Sequence, residues 1–186
     1  MNHHDMTRNM VLAALFAALT AIGAFLQIPT GTVPITLQFL FTALAGLLLG
    51  WKWGAISQLL YVGIGLLGLP VFTQGGGIGY VLQPSFGFLL GLIPAAAVIG
   101  ALTARRTGYL TVLAAVLVGD LILYAVGVPY MYLILHVYMQ SAKTFPALLA
   151  AMLVYVPGDT LKIVVVTALV PCLLYTSPSP RDMRRS

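Results

Sequence analysis

The segment YVPGDTLKIV, residues 155 to 164, holds an acid and a base, Asp159 and Lys162, in an otherwise apolar run. The whole chain has only four acidic and nine basic residues. Side chains three positions apart share one face of a helix and can reach each other. An ionisable residue inside a membrane span costs about 2.5 to 3.5 kcal/mol on insertion scales and commonly serves a function. The pair therefore predicts a binding site, and a self-neutralised structural pair is the alternative.

The composition indicates the medium that surrounds this pair. Of 186 residues, 60% are hydrophobic and 7% are charged, and the mean hydropathy is +1.01. A soluble core of this size could not bury so much apolar surface. The apolar runs are continuous, whereas the strands of a membrane barrel alternate in polarity. The sequence therefore predicts an all-α, polytopic membrane protein.

Breaks at glycine, proline and charged residues predict six transmembrane helices. Pro157 is our preferred start for the last of them, because proline is tolerated in the first turn and the helix dipole favours a carboxylate there. This leaves residues 128–156 as an outer segment that could cap a cavity. One long helix over 146–171, kinked at Pro157, is the alternative. The predicted spans are 9–27, 35–50, 53–69, 84–104, 109–127 and a last one that ends near residue 171.

The basic residues predict the orientation. Most of them lie at the ends of apolar runs, as the positive-inside rule requires. The predicted outer loops carry only one basic residue, Lys143. We therefore expect both termini to be cytoplasmic. No basic patch interleaved with aromatic residues is present, so the net charge of +5 does not indicate nucleic acid. The basic residues on the predicted inner side are Arg8, Lys52, Arg105 and Arg106.

The chain divides into one membrane domain, residues 1–171, and a tail, residues 172–186. The tail changes composition abruptly to LLYTSPSPRDMRRS, so we interpret it as an appended, non-native end and exclude it from the fold. Cys172 is the only cysteine, which excludes a disulfide framework and a thiolate metal cluster. His136 has no further ligands at suitable spacing, so we expect no metal site.

Two predicted outer loops, 28–34 and 70–83, combine glycine, proline and polar residues. Irregular backbone at membrane depth survives only where protein buries it or where it lines a wet cavity. We therefore expect an outward-facing site, to which Tyr80 and Gln83 could add a hydroxyl and an amide. A solvent-facing amide is the alternative for Gln83. The GGGIGY stretch lacks the strand, helix and G-K-[ST] of a phosphate-binding loop, so any ATP must be handled by a partner.

Five segments, in order along residues 8 to 171, resemble the biotin-specific S component (BioY family) of energy-coupling factor (ECF) transporters. The resemblance implies a non-enzymatic subunit in a prokaryotic cell membrane that captures biotin from outside. It also implies docking on a transmembrane coupling protein and two ATPases, which use the ATP, and no cofactor in the chain itself. The segments are VPITLQ, LAGLLLG, GLLGLPVFTQGGGIGYVLQPSFGFLLG, GDLILYAVGVPY and VPGDTLK.

The resemblance also implies roles for single residues. In the family, the acid and the base of the PGDxxK motif contact the ligand. Asp159 is therefore expected to accept from the ureido N–H groups of biotin, and Lys162 to donate to a biotin oxygen. Asp120, in the GDLxxY motif, is a further candidate for the pocket. A carboxylate bonded to neighbouring hydroxyls or backbone is the alternative for Asp120.

The first span carries alanines at positions 13, 17 and 21, with Ala14 and Ala18 on the adjoining stripe. Small residues at this spacing let helices approach closely in lipid. By resemblance, the face formed by Ala13, Ala17 and Ala21 docks on the coupling protein. Internal packing would give the same pattern.

Three other functions are weaker explanations of the sequence. A secondary transporter that acts alone usually has internal repeats with interrupted helices, and we find no such repeat. An S component for another vitamin would share the architecture, but the five segments favour biotin. An intramembrane enzyme would need a positioned nucleophile and base, or an acid and base beside a metal, and no such motif is present.

Overall fold

The computed structural model describes residues 3–29, 33–105 and 108–176, and most of them are helical. Two short strands pair antiparallel between the first two helices, with Gln27 opposite Thr36. A 3₁₀ turn, Ile78–Leu82, precedes the third helix, and a π-helical turn, Ile134–Tyr138, extends the fourth. The named elements are α1 (His3–Phe25), β1 (Gln27–Ile28), β2 (Ile35–Thr36), α2 (Gln38–Leu66), α3 (Phe86–Thr103), α4 (Tyr109–Leu133), α5 (Phe145–Met152) and α6 (Val156–Thr176).

Helix α2 is a hairpin of two helical halves, residues 38–49 and 51–66. Gly50 interrupts the helix with φ 79° and ψ 177°, a backbone conformation that residues other than glycine rarely adopt. Thr42 Oγ1 donates to Gln58 Oε1 at 3.0 Å. In a continuous helix these residues would lie about 24 Å apart, at 1.5 Å per residue. The chain therefore reverses at Gly50, and the halves correspond to the predicted spans 35–50 and 53–69.

Close backbone packing holds this hairpin against α3. A Cβ atom at Gly46 would lie 2.5 Å from the Ala96 carbonyl oxygen, and one at Gly54 would lie 2.9 Å from Gly46 Cα. In lipid, the hydrophobic effect does not drive helices together. Close van der Waals contact between small residues therefore stabilises this packing. Gln58 joins the hairpin to α1, because its amide also donates to Thr20 Oγ1 at 3.3 Å.

The all-α membrane fold is confirmed in its main features. Four helices are long and apolar enough to cross a membrane, and α2 counts among them as a single helix. Helices α5 and α6 are bent by 49° at the break between them and would form a fifth span together. The four are Asp5–Phe25, Gln38–Leu66, Phe86–Thr103 and Tyr109–Tyr138.

The region after residue 109 differs from the prediction at two boundaries. Helix α4 continues past residue 127 to Leu133, because the apolar run continues and a membrane helix tolerates the internal Pro129. The predicted outer segment 128–156 is therefore partly a continuation of this helix. At the other end, α6 extends to Thr176, beyond the predicted limit of 171. Residues 177–186 of the tail lie outside the described residues.

The two predictions for the last span are distinguished by the break before α6. Helix α5 ends at Met152, and α6 begins at Val156 with Pro157 and Asp159 in its first turn. The preferred start near Pro157 is thus confirmed, and a single long helix from residue 146 is wrong. The break places the acid at the N-terminal end of α6, where the helix dipole favours negative charge.

The helix ends bring three of the basic residues to one end of the molecule. A Cβ atom at Gly100, near the end of α3, would lie 2.4 Å from Trp51 N, so α3 ends beside the turn at Gly50. At the opposite end, Leu37 N–H donates to Gly23 O at 3.1 Å, so α1 ends where α2 starts. The N-terminal end of α1 therefore points toward the Gly50 turn. The described basic residues at this end are Arg8, Lys52 and Arg105.

The burial of α1 favours internal packing for part of its alanine face. Ala13 and Ala17 are only 2% and 4% exposed, and Ala17 belongs to the main hydrophobic core. Ala21 is half-buried, whereas Ala14 and Ala18 on the adjoining stripe are exposed. Helix α1 packs against α2, so Ala13 and Ala17 are not free to meet another protein. Internal packing therefore accounts for Ala13 and Ala17, and docking by the face formed by Ala13, Ala17 and Ala21 stays a prediction.

Candidate functional site

A cavity opens at the end of the molecule opposite Arg8, Lys52 and Arg105. It contains about 630 Å³ of atom-free space, its open mouth included. All the long helices except α1 contribute to its wall, together with the segments between them. The lining residues are Val33, Pro34, Ile35, Thr36, Gln38, Phe39, Thr73, Tyr80, Ser85, Phe88, Leu89, Leu92, Leu123, Tyr124, Met152, Tyr155, Asp159 and Lys162.

Asp159 and Lys162 form an ion pair in the wall of this cavity. Lys162 Nζ lies 2.5 Å from Asp159 Oδ1, and the two residues are only 7% and 8% exposed. The other carboxylate oxygen of Asp159, Oδ2, accepts a hydrogen bond from the Tyr124 hydroxyl of α4. Lys162 Nζ also donates to the Thr36 carbonyl oxygen of β2 at 3.3 Å. The first two turns of α6 are thus tied to two other walls of the cavity.

The pair keeps unused hydrogen-bonding capacity that faces the cavity. A lysine ammonium has three donors, and the described contacts of Lys162 use two of them. A carboxylate has about four lone-pair sites, and the side-chain contacts of Asp159 occupy two. The site can therefore bind both a donor and an acceptor of a ligand without breaking the ion pair.

Tyr80 lies on the wall formed by the 70–85 segment, as predicted. Its ring is buried against Phe72 and Phe86, with centroid distances of 4.6 and 6.4 Å. Its hydroxyl shares hydrogen bonds with Thr73 Oγ1 at 2.8 Å and Ser85 Oγ at 3.3 Å. The structure therefore brings Tyr80, Asp159 and Lys162 to one cavity.

Gln83 and Asp120 do not line the cavity. The 3₁₀ turn ends at Leu82, and the chain leaves it in an extended conformation at Gln83, which is half-buried. Asp120 lies one helical turn before Tyr124 on α4, deeper than the cavity reaches. Its Oδ1 is buried and has no hydrogen-bond partner among the described residues. Both residues therefore lie outside the described cavity wall, and their contact with a ligand stays a prediction.

The sequence analysis missed several polar residues of the site, of which Tyr124 and Gln38 make the most informative contacts. Tyr124 supports Asp159 directly. Gln38 lines the cavity, accepts from Thr36 Oγ1 at 2.8 Å and donates to Tyr61 OH at 2.7 Å. Gln38 is a polar residue at the start of an apolar span, and this position is a signal that could have identified it. The sequence analysis used its segment, VPITLQ, only for the family resemblance.

Two segments that meet each other cover part of the cavity. Tyr155, between α5 and α6, donates its hydroxyl to Val33 O at 2.5 Å. Met152 lines the cavity beside it. The last part of residues 128–156, the segment predicted to cap a cavity, thus contributes to the cavity wall. Within residues 3–29, 33–105 and 108–176, no three His, Cys, Asp or Glu side chains are grouped as metal ligands.

Known proteins resemble this chain in sequence and in structure. The model of the BioY family matches residues 1–178. A probable biotin transporter BioY of Lysinibacillus sphaericus is 52% identical over 141 residues, 75% of this chain and 72% of the relative. The biotin transporter BioY of Thermotoga maritima is 36% identical over 159 residues, 85% and 90% of the two chains.

The fold agrees with a solved structure. The crystal structure, at 2.1 Å, of the S component for biotin from an ECF-type ABC transporter superposes with a TM-score of 0.83. The two chains are 28% identical, and the match covers 95% of this chain and 96% of the other. The family model, the relatives and the fold lead to one conclusion: this multi-pass membrane protein belongs to the BioY family.

Proposed function

We propose that this chain is a biotin-binding S component, which captures biotin outside a prokaryotic cell and passes it inward with an ATP-driven ECF module. The observation that carries the proposal is the buried Asp159–Lys162 pair, which lines an otherwise largely apolar cavity in a BioY-family chain. The role is that of a binding and transport subunit, without catalysis. The chain needs no cofactor of its own, because partner ATPases use the ATP.

The chemistry of biotin matches this cavity. Biotin has two ureido N–H donors, a carbonyl oxygen, an apolar thiophane ring and a carboxylate tail. Asp159 can accept from the ureido N–H groups, and the free donor of Lys162 can bind a biotin oxygen. The side chains of Phe88, Leu89 and Leu92 offer an apolar wall for the ring. Such charge-assisted bonds in an apolar site give both orientation and affinity.

The proposed topology has six membrane crossings and two cytoplasmic termini. The α2 hairpin supports this count, because it supplies two antiparallel segments in place of one span. The grouping of Arg8, Lys52 and Arg105 at the end opposite the cavity supports the orientation, since basic residues are retained on the cytoplasmic side. The cavity would then open outward, where a capture subunit meets its ligand.

The proposed partners are the transmembrane coupling protein and two ATPases of the ECF module. The exposed stripe of Ala14 and Ala18 on α1 offers a small-residue surface to a helix of the coupling protein.

We expect Ala14→Leu with Ala18→Leu to leave biotin binding and thermal stability unchanged and to reduce uptake strongly. The bulk would be added on an exposed face, so only contact with a partner would be affected. The measurement is biotin uptake by cells that express the whole transporter. As the control, Ala17→Leu should instead lower the melting temperature, because overpacking a core costs typically 1 to 3 kcal/mol. Normal uptake by the Ala14/Ala18 variant would contradict this docking surface.

Calorimetric titration of biotin into the purified protein in detergent tests the proposed function. We expect tight binding of biotin and no comparable binding of thiamine or riboflavin. A folded sample that binds thiamine or riboflavin instead would identify an S component for another vitamin. Failure to bind any of the three would contradict the capture role.

A further inference from the structure

A second cavity, which we call the outer cavity because the proposed topology places it outside the first, lies between α5 and the end of α4. It contains about 830 Å³ of atom-free space, its open mouth included. Its walls are mainly apolar, and Lys143 brings the only charged side chain. The lining residues are Met131, Lys143, Ala147, Leu148, Ala151, Met152, Val154 and Tyr155.

Met152 and Tyr155 line both cavities. These two side chains therefore form the partition between the outer cavity and the cavity that holds the Asp159–Lys162 pair. On the other side of the partition, the Tyr155 hydroxyl is bonded to Val33 O at 2.5 Å and so helps to cover the inner cavity. A ligand that approached from the outer cavity would meet this partition before it reached the ion pair.

The charge of Lys143 is available to a ligand. The side chain is exposed, and among the described residues its ammonium forms no ion pair. The described acids lie elsewhere. Asp5 is in the first turn of α1, at the end opposite the cavities, and Asp120 is inside the span of α4. Asp159 is already paired with Lys162. An anion that enters the outer cavity therefore meets one unpaired cation and no carboxylate.

We propose that the outer cavity is an entry site for a monocarboxylate with an apolar body. Lys143 attracts the carboxylate, while the apolar body rests on Leu148, Ala151 and Met131. The ligand then passes between Met152 and Tyr155 into the inner cavity. This inference rests on the proposed function, because biotin has this combination of a single carboxylate and an apolar ring.

The partition is built from parts that can move. Met152 is unbranched and has three rotatable bonds, so it adapts to a passing ligand. Helix α5 packs chiefly against α4, and its side chains lie in a small hydrophobic cluster separate from the main core. The 49° bend before α6 separates α5 from the helix that carries the ion pair. Met152 can therefore move aside while Tyr155, whose carbonyl oxygen accepts from Asp159 N–H at 2.9 Å, stays in place beside the ion pair.

An entry site changes the rate of binding more than the final affinity, because electrostatic attraction acts mainly on association. We would measure association and dissociation rates with radiolabelled biotin and rapid filtration, in nanodiscs of zwitterionic lipid at low salt. Lys143→Gln should lower the association rate of biotin by roughly threefold or more and leave its dissociation rate unchanged. Biotinamide, which lacks the carboxylate charge, should associate equally fast with both proteins.

Lys52→Gln is the matched control, because it removes the same charge at the opposite end of the molecule. It should leave both rates unchanged. Equal association of biotin with the wild type and with Lys143→Gln would overturn the entry site while biotin binding, and with it the proposed function, stood. If Lys143→Gln lowered the association rate only in nanodiscs that contain anionic lipid, Lys143 would bind a lipid headgroup and the entry site would be overturned. A wild type that failed to bind biotin would remove the proposed function and the entry site together.

Discussion

Asp159→Asn should weaken biotin binding by more than about tenfold. A hydrogen bond to a charged group contributes about 1.5 to 3 kcal/mol, and each 1.4 kcal/mol is a factor of ten in affinity. The substitution keeps the size of the side chain but replaces an acceptor-only carboxylate by an amide. It also leaves the buried Lys162 ammonium without its anion, so that a positive charge meets the ligand alone. Calorimetric titration of biotin measures the loss.

A second acid serves as the control for this substitution. Asp5 lies in the first turn of α1 and is exposed, so Asp5→Asn removes one negative charge far from the cavity. We expect wild-type affinity for Asp5→Asn. An Asp159→Asn protein that melts cooperatively and binds biotin as tightly as the wild type would show that Asp159 is no ligand contact.

The central pair of the site could be predicted from the sequence because its geometry is local. Three residues separate Asp159 from Lys162 along one helix, so helical periodicity alone brings the carboxylate and the ammonium together. Their Nζ–Oδ1 distance of 2.5 Å confirms this prediction. The position of the helix start was also local, because it depends on Pro157 and on a carboxylate in the first turn.

The other partners of the pair depend on tertiary structure. Tyr124 lies 35 residues before Asp159, and Thr36 lies 126 residues before Lys162. Nothing in the sequence near either residue indicates these contacts, because they arise only when α4, α6 and β2 pack around one space. For the same reason, spacing could not show that Asp120, one turn from Tyr124, lies below the cavity.

The boundaries of the fold show a similar division. The apolar runs predicted where the long helices lie, and Gly50 marked the interruption between two of the predicted spans. Sequence patterns could not decide which stripe of α1 faces the protein, because Ala13 and Ala14 have the same side chain. The packing of α1 on α2 buries Ala13 and leaves Ala14 exposed. The end of α4 was also missed, since glycine and proline end helices in water more reliably than in lipid.

Lys162→Met should both destabilise the protein and abolish tight biotin binding, and a second substitution should separate these effects. Removing one partner of a buried ion pair costs about 3 to 5 kcal/mol, because the other charge is left uncompensated. Adding Asp159→Asn removes that charge, so the double variant should regain most of the lost melting temperature.

Biotin binding should not return with the stability of the double variant, because neither the ammonium nor the carboxylate is left to bind the ligand. The melting temperature in detergent and the calorimetric affinity, measured on the same samples, give the two results. If the double variant bound biotin as the wild type does, the pair would be a self-neutralised structural element and the ligand would lie elsewhere. Recovery of stability without recovery of binding would instead show that the pair contacts the ligand. In that case the fold would tolerate the loss of both charges, whereas the affinity for biotin would not.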